Sequence, residues 1–547
     1  MKNGNHFELI EVKAKSYDSL KPEIAGARGG IKSGMLPYIQ DAAFQKWVLQ
    51  QAFPDAKINT YLMMPDKQKV CEIDNLNQMF KINDRSDIDA QIPPHINGYQ
   101  LANNLLAKVS VDQYVDDVLT NPIDIPGGAA PLPDLANLWA ASYKIDQKLV
   151  PILGKQCGAC QFKTDLNGKL KSGFHECWKE ALGWSESDFT EGTILDIWNF
   201  RGKSKLMDQG IYKINQVNRD DIGHFEDETD VTGLSRMQRQ WLQVGGIPKD
   251  HDHGDFYFDQ SLAGVEMSKW KYPYHLIDFE TSAVALPFHK DMRPYEQVAF
   301  QYSHHIIESD GSIRHAGQFL CVEPGAFPNY EFARALKVEL EADEGSVFMW
   351  SHHENTILSA IIRQLDEDTN RPDDADQLKE FLITLIKGGN RAMIDLCTFA
   401  EKAFYHPDTN GGNSIKKVLP AILKVSEKLQ STYVNPIYGR VDGIVSLNEW
   451  NSDGFVWLTK DEQGEIINPY TLLKAYAEDI LLDSDLAIDE SIISEGGAAA
   501  TGYARLQFES LDDASRVRIK SSLLRYCELD TLAMVMIVQA WNSMAGN

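Results

Sequence analysis

The chain has 547 residues, of which 43% are hydrophobic and eleven are tryptophan; this excludes a disordered or low-complexity polypeptide and provides for about two to four domains with cores of their own. The formal net charge of −26 excludes a protein that holds nucleic acid through an overall basic surface, because phosphate contacts carry most of such affinity. No apolar run reaches the roughly 20 residues needed to span a bilayer. Nothing at Met1 has the pattern of a signal peptide, and seven scattered cysteines fit a reducing compartment, so the expected location is the cytoplasm, without membrane contact.

Phe7 to Lys15 reads as a strand that carries Glu11 and Lys13 on one face, since side chains alternate along a strand. Asp41 to Leu49 reads as a helix that contains Gln45, and a further strand, a loop and a helix near Tyr99 to Leu119 complete a first segment, 1–121. Pro122 to Pro133, rich in Pro and Gly, reads as a linker or an exposed loop. Cys157 and Cys160 form a C-x-x-C followed by Cys177, which is metal-ligand spacing rather than core packing, with His175 a candidate fourth ligand. Cys71, Cys321, Cys397 and Cys527 sit in apolar surroundings and are expected to pack. A helical connector from Trp178 to Leu242 and a polar loop with His251 and His253 complete a middle segment, 122–265.

The last segment, 266–547, opens on His275-Leu276-Ile277-Asp278-Phe279-Glu280-Thr281, an apolar strand that ends in two acids on one face. Two neighbouring carboxylates repel and are costly to desolvate unless a divalent cation lies between them. Strands are expected near Val298 to Ile306, Ser312 to Phe319 and Phe348 to Trp350. The last of these turns into a helix whose acid is Glu354, behind His352 and His353; His353 reads as a metal ligand or, in preference, as a substrate hydrogen-bond partner or polar packing. Asp395 reads as a structural acid near the site; Ser414 and Lys416 read as contacts to a substrate backbone. Basic residues gather at Lys416 and Lys417, and at Arg505, Arg516, Arg518, Lys520 and Arg525. Of these, Lys416, Lys417, Arg505 and Arg525 are the expected nucleic-acid contacts. Tyr526 and Asp530 are four apart on an unbroken apolar-periodic helix and share one face.

The Asp278-x-Glu280 strand and the Tyr526-x-x-x-Asp530 helix together resemble the DEDD class of RNase H-like exonucleases. From about Tyr272 to Trp541 the chain resembles a bacterial domain-of-unknown-function family of DEDD-like nucleases. The resemblance is carried by HLIDFET, SHHENTIL, GGNSIKKVLP (Gly411 to Pro420), GGAAATGYARLQ (Gly496 to Gln507) and RYCELDTLAM. It implies an α/β fold, an RNase H-like mixed sheet flanked by helices, with Asp278, Glu280, Glu354 and Asp530 as ligands of two Mg2+ or Mn2+ ions and Tyr526 orienting the attacking water. It also implies phosphodiester hydrolysis of DNA or RNA, 3′ to 5′ on single strands. The chain departs from the class at the third acid, where an Asn a few residues before an Asp is usual and Glu354 stands here.

The Glu11-x-Lys13 strand and the Gln45 helix resemble RecB-type nucleases of the PD-(D/E)xK class, in which that acid binds metal and the lysine steadies the nucleophile or phosphate charge. An acid on a preceding strand is missing, so this α/β region is expected to be an incomplete remnant. Relatives of the CRISPR adaptation nuclease carry a [4Fe–4S] cluster on three late cysteines and one early one. Cys157, Cys160 and Cys177 would supply three of those ligands here, and with His175 they would form a Cys3His zinc site instead. The alternative to a nuclease is a catalytically weak nucleic-acid-binding or scaffold protein with a structural metal cluster.

Overall fold

The computed structural model describes residues 1–546 apart from 27–28, 84–86, 95, 97–104, 126–127, 165–169, 227–231, 250–252, 451–452 and 474–496. It is a mixed α/β structure with two separate main sheets. His251 lies outside the described residues.

The N-terminal sheet has four strands in the order β1 (Lys2–Asn3), β2 (His6–Val12), β3 (Lys57–Pro65) and β4 (Leu106–Ser110). Parallel strands need a crossover, and β2 and β3 are joined by helix α1 (Leu36–Ala52). Ile58, Thr60, Leu62 and Met64 alternate inward along β3. Leu62 and Met64 pack with Ile39, Ala42 and Ala43 of α1 and with Val115 and Val118 of α2 (Asp112–Thr120). Of the helix expected near Tyr99 to Leu119, residues 99–104 lie outside the described residues, and the rest holds strand β4 followed by the shorter α2, the register switching at Val111. Part of the expected linker at Pro122 to Pro133 pairs as a small hairpin, Ile123–Ile125 with Gly128–Ala130, and helix α3 (Leu132–Lys144) begins directly after it.

Between Trp178 and Leu242 the described residues form short helices joined by turns. Ser172 caps α4 (Gly173–Leu182), and a capping box of Ser235 and Gln238 starts α5 (Arg236–Gly245). Trp178, Ile194, Leu206 and Met207 share one core.

The second sheet has five strands: β5 (Tyr274–Ser282), β6 (Val298–Ile307), β7 (Ile313–Leu320), β8 (Val347–Met349) and β9 (Ile394–Asp395), in the order β7-β6-β5-β8-β9. β5, β6 and β7 are antiparallel neighbours, while β8 runs parallel to β5 and β9 parallel to β8. Alternation along β5 divides the core. Ile277 and Phe279 pack under α6 (Asn329–Leu340), α7 (His353–Glu367) and α8 (Ala375–Leu385). Leu276 points to the other face, into a core shared with α9 (Leu396–Ala403), α10 (Ile415–Val425) and the 32-residue α12 (Asp513–Met544). α11 (Gly497–Phe508) closes that face through Tyr503 and Leu506, against Phe300. From Tyr526 to Val538 every residue of α12 is buried, so its apolar stripe is the middle of a fully enclosed helix. Among the described residues no helix is long and apolar enough to cross a membrane.

The two sheet regions touch. Cys71 N–H donates to Met292 O at 2.8 Å, Gln78 Nε2 donates to Gln507 O at 3.0 Å, and the Tyr295 hydroxyl donates to Ala14 O.

Candidate metal centre

β8 pairs with only the first part of β5, His275 with Val347 and Leu276 with Phe348. Asp278 and Glu280 therefore overhang the carboxyl end of the parallel strands, the position where open α/β sheets form their crevices. The chain leaving β8 turns sharply: Ser351 has φ +79°, a left-handed conformation uncommon for a side-chain-bearing residue. Asp395, at the end of β9, holds that turn by accepting from Ser351 N–H at 3.0 Å. It also caps α9 through the N–H groups of Cys397 and Thr398 at 2.9 and 3.1 Å. The turn delivers Glu354 into the first turn of α7, 1% exposed. Across the crevice, α12 presents Asp530, 7% exposed.

One ligand oxygen each from Asp278, Glu280 and Asp530 lie within 4.8 Å of one another. Glu354 is outside that group but close enough to Asp278 for the two charges to interact, and its Oε2 is buried with no hydrogen-bond partner. Burial first, and mutual repulsion second, hold the carboxyls of Asp278, Glu280 and Glu354 well above the usual carboxylate range. Burial also raises Asp530, tempered by Lys416 and by the Tyr470 hydroxyl, which donates to Oδ1 at 2.6 Å.

Glu528, on the same turn of α12 but facing away, shows the contrast. It is fully buried, yet Tyr438 OH (2.5 Å), Ser446 OH, Asn448 Nδ2 (2.8 Å) and Trp450 Nε1 (3.2 Å) all donate to it, and His315 Nδ1 lies 3.2 Å away. Burial raises its carboxyl, but His315, Ser446 and Tyr438 outweigh that and bring it below the ordinary value. The fold thus satisfies one buried acid with donors and leaves a neighbouring group of acids short of them. Hard oxygen ligands lacking donors fit a divalent cation such as Mg2+ or Mn2+.

Other expected residues fall as follows. Lys416 Nζ donates to the Tyr526 hydroxyl at 2.6 Å, so both reach the centre. Lys417, one residue on, is exposed. Arg505 is 8% exposed and ion-paired to Glu509 at 2.9 Å inside α11. Arg525 donates to Glu449 O at 2.6 Å and lies over Trp450. Both arginines are engaged by partners within the fold, which basic residues gathered in sequence cannot reveal. His353 sits at the rim, Nε2 3.2 Å from Thr281 Oγ1. Cys527, expected only to pack, has Sγ 3.7 Å from Asp278 Oδ2. Tyr470 carries no sequence signal, being one aromatic in a short helix, Pro469–Leu472, remote from the motifs.

Cys157, Cys160 and Cys177 share one hydrophobic core and are near enough for their charges to interact, but their sulfurs do not converge within 4.8 Å. His175 packs edge-on against Phe174 and Phe189. In the N-terminal region, Lys13 Nζ bridges Glu11 (2.8 Å) and Asp41 (2.5 Å), and Gln45 Nε2 bridges the same two carboxylates at 2.7 and 3.1 Å. Glu11 thus has a second carboxylate near it from α1, Asp41, which a search of preceding strands overlooks. A cleft of about 660 Å3 opens on the far face of α7, lined by Asn355, Thr356, Ser359 and Arg363, and it does not include the acids. Its arginines are paired, Arg293 to Glu367 and Arg363 to Glu296.

Residues 275–414 match a domain of unknown function, DUF2779. That span contains Asp278, Glu280, Glu354 and Asp395 and stops before Lys416, Tyr526 and Asp530, whereas the sequence resemblance extends to Trp541. No curated protein and no solved structure matches the chain.

Proposed function

We propose that the chain is a metal-dependent nuclease that hydrolyses phosphodiester bonds, acting 3′ to 5′ on single strands. The observation that carries this reading is the convergence of Asp278, Glu280 and Asp530 within 4.8 Å, with Glu354 alongside, in a buried crevice that gives them few donors. The mixed sheet flanked by helices agrees with an RNase H-like domain, the architecture the sequence resemblance implies.

Asp278, Glu280, Glu354 and Asp530 would hold Mg2+ or Mn2+, which when bound supply Lewis-acid charge to a phosphodiester oxygen and a more acidic water. Asp278 interacts electrostatically with Asp530, with Glu280 and with Glu354, so it would contribute to a cation held at this centre. Tyr526, its hydroxyl held by Lys416, orients the attacking water. Tyr470 fixes the rotamer of Asp530 through its hydrogen bond to Oδ1. Thr281 and His353, at the exposed rim, are placed to meet the strand, and Lys417 offers a charge to its backbone. Asp395 acts through the turn that positions Glu354.

The test is cleavage of end-labelled single-stranded DNA and RNA with Mn2+ and with chelator. Shortening from the 3′ end that stops with chelator and in Asp278→Asn is expected; cleavage that survives both rejects the assignment.

A further inference from the structure

Lys416 differs from an ordinary backbone-binding lysine. The loop that delivers it is rigidly fixed. Gly411 has φ +73°, and a Cβ there would lie 2.4 Å from Trp198 Cβ, so the GGNS motif needs glycine at that position. Arg239 binds Gly411 O at 3.2 Å and also the Asn413 side chain, and Trp350 Nε1 donates to Asn413 O at 3.0 Å. From this anchor α10 begins, and the Lys416 ammonium lies 5.0 Å from the Tyr526 ring centre and 5.5 Å from that of Tyr470. One tyrosine hydroxyl accepts from Lys416 and the other donates to Asp530. The charge of Lys416 is felt by Asp278, Glu280 and Asp530 alike. A lysine meant for a nucleic-acid backbone would be exposed, as its neighbour Lys417 is, whereas Lys416 is only partly so.

We propose that Lys416 is the built-in counter-charge of the acid centre, a positioning residue that orients the Tyr526 hydroxyl and limits how tightly the carboxylates hold a cation, rather than a contact to the substrate backbone. This rests on reading the centre as the metal site of a phosphodiesterase. A fixed ammonium beside buried carboxylates competes electrostatically with any added cation, and cation affinity in oxygen sites follows ligand charge. Removing the ammonium therefore changes binding and turnover in opposite directions.

The experiment measures Mn2+ binding by electron paramagnetic resonance and strand cleavage for the full chain, Lys416→Met and Lys416→Arg. Lys416→Met is expected to bind Mn2+ about threefold or more tightly, because one positive charge has left the site. Its kcat is expected to fall about tenfold or more, with KM within about threefold, because Tyr526 loses its orienting donor. Lys416→Arg, which keeps charge and donors, moves both values back toward wild type. Lys416→Gln, which keeps a donor without the charge, replaces the methionine variant should that one fail to fold. Unchanged or weaker Mn2+ binding in the uncharged variants overturns the proposal. So does a rise in KM with a shallower salt dependence, the signature of a lost phosphate contact. Tighter Mn2+ binding in a chain that cleaves no strand upholds the counter-charge and rejects the nuclease reading; cleavage with unaltered Mn2+ affinity does the reverse. Absence of Mn2+ binding by the wild-type chain overturns both.

Discussion

Replacing Glu528 by glutamine is expected to cost about 3–5 kcal/mol of stability, the range for removing one partner of a buried charged network. The magnitude follows from its partners. Asn448 Nδ2 and Trp450 Nε1 both donate to Oε2, and Tyr438 and Ser446 both donate to Oε1. An amide nitrogen at the Oε2 position faces two N–H donors, and at the Oε1 position it obliges two hydroxyls to turn from donating to accepting; either way the remaining bonds lose their ionic assistance, worth about 1.5–3 kcal/mol each when charged and about half that when neutral. The measurement is urea unfolding, read together with hydrogen exchange of the α12 amides, since Glu528 joins that helix to the Tyr438–Trp450 region. Because the folded carboxyl lies below its ordinary value, its contribution is present above the unfolded value, about pH 4.3, and is lost as pH falls through the folded one. The gap between wild type and variant should therefore close in acid. A loss below about 1 kcal/mol, or a gap that widens in acid, would show that the network does not depend on the charge.

The acid centre has the opposite sign. Burial raises Asp278, Glu280, Glu354 and Asp530 above their unfolded values, with repulsion adding to it at the first three, so their contribution is full below about pH 4 and is lost as pH rises through the folded values. Without metal, the melting temperature of wild type is expected to fall on going from about pH 5 to about pH 8, and Asp278→Asn to melt higher than wild type at the upper end; a lower melting point there contradicts the repulsion. In the N-terminal region, Glu11→Ala and Lys13→Ala should each change stability by less than about 1 kcal/mol, as for partly exposed ion pairs, and leave strand cleavage intact. Activity that falls with Lys13 would give this region a catalytic part. If the cysteines hold a [4Fe–4S] cluster or zinc, as the resemblance implies, anaerobically purified protein contains iron or zinc that is lost in Cys160→Ser; metal-free wild type removes the cluster from consideration.

Much of the centre was legible in sequence because its parts obey short-range rules. The period of two puts Asp278 and Glu280 on one strand face, and the spacing of four puts Tyr526 and Asp530 on one helix face. The strand-to-helix turn that carries Glu354 reads from SHHENTIL. Tertiary context decided the rest. Lys416 and Arg505 look alike in sequence, yet one meets the acids and the other is consumed by Glu509, a difference set by which helix face the packing buries. Tyr470 and Cys527 reach the acids only through contacts distant in sequence. Within the helix expected near Tyr99 to Leu119, the stretch Leu106–Ser110 shows the usual ambiguity of short apolar runs, where strand pairing with β3 wins over helical spacing.

Cys527 and Asp278 touch across 249 positions of sequence. Asp278 and Glu280 on one element, and Asp530 on another, therefore meet only when α12 docks on the sheet. Closing so long a span is slow relative to local pairing. The hairpin of β5 and β6 forms from neighbouring segments, with its two acids still in water, where repulsion is weak. The electrostatic stress of the centre thus arrives in the same event as the apolar contacts that offset it, Leu529 and Leu532 among them. Folding intermediates that lack α12 would carry neither the stress nor a complete cation site, so the chain would become competent for metal chemistry only as its core closes.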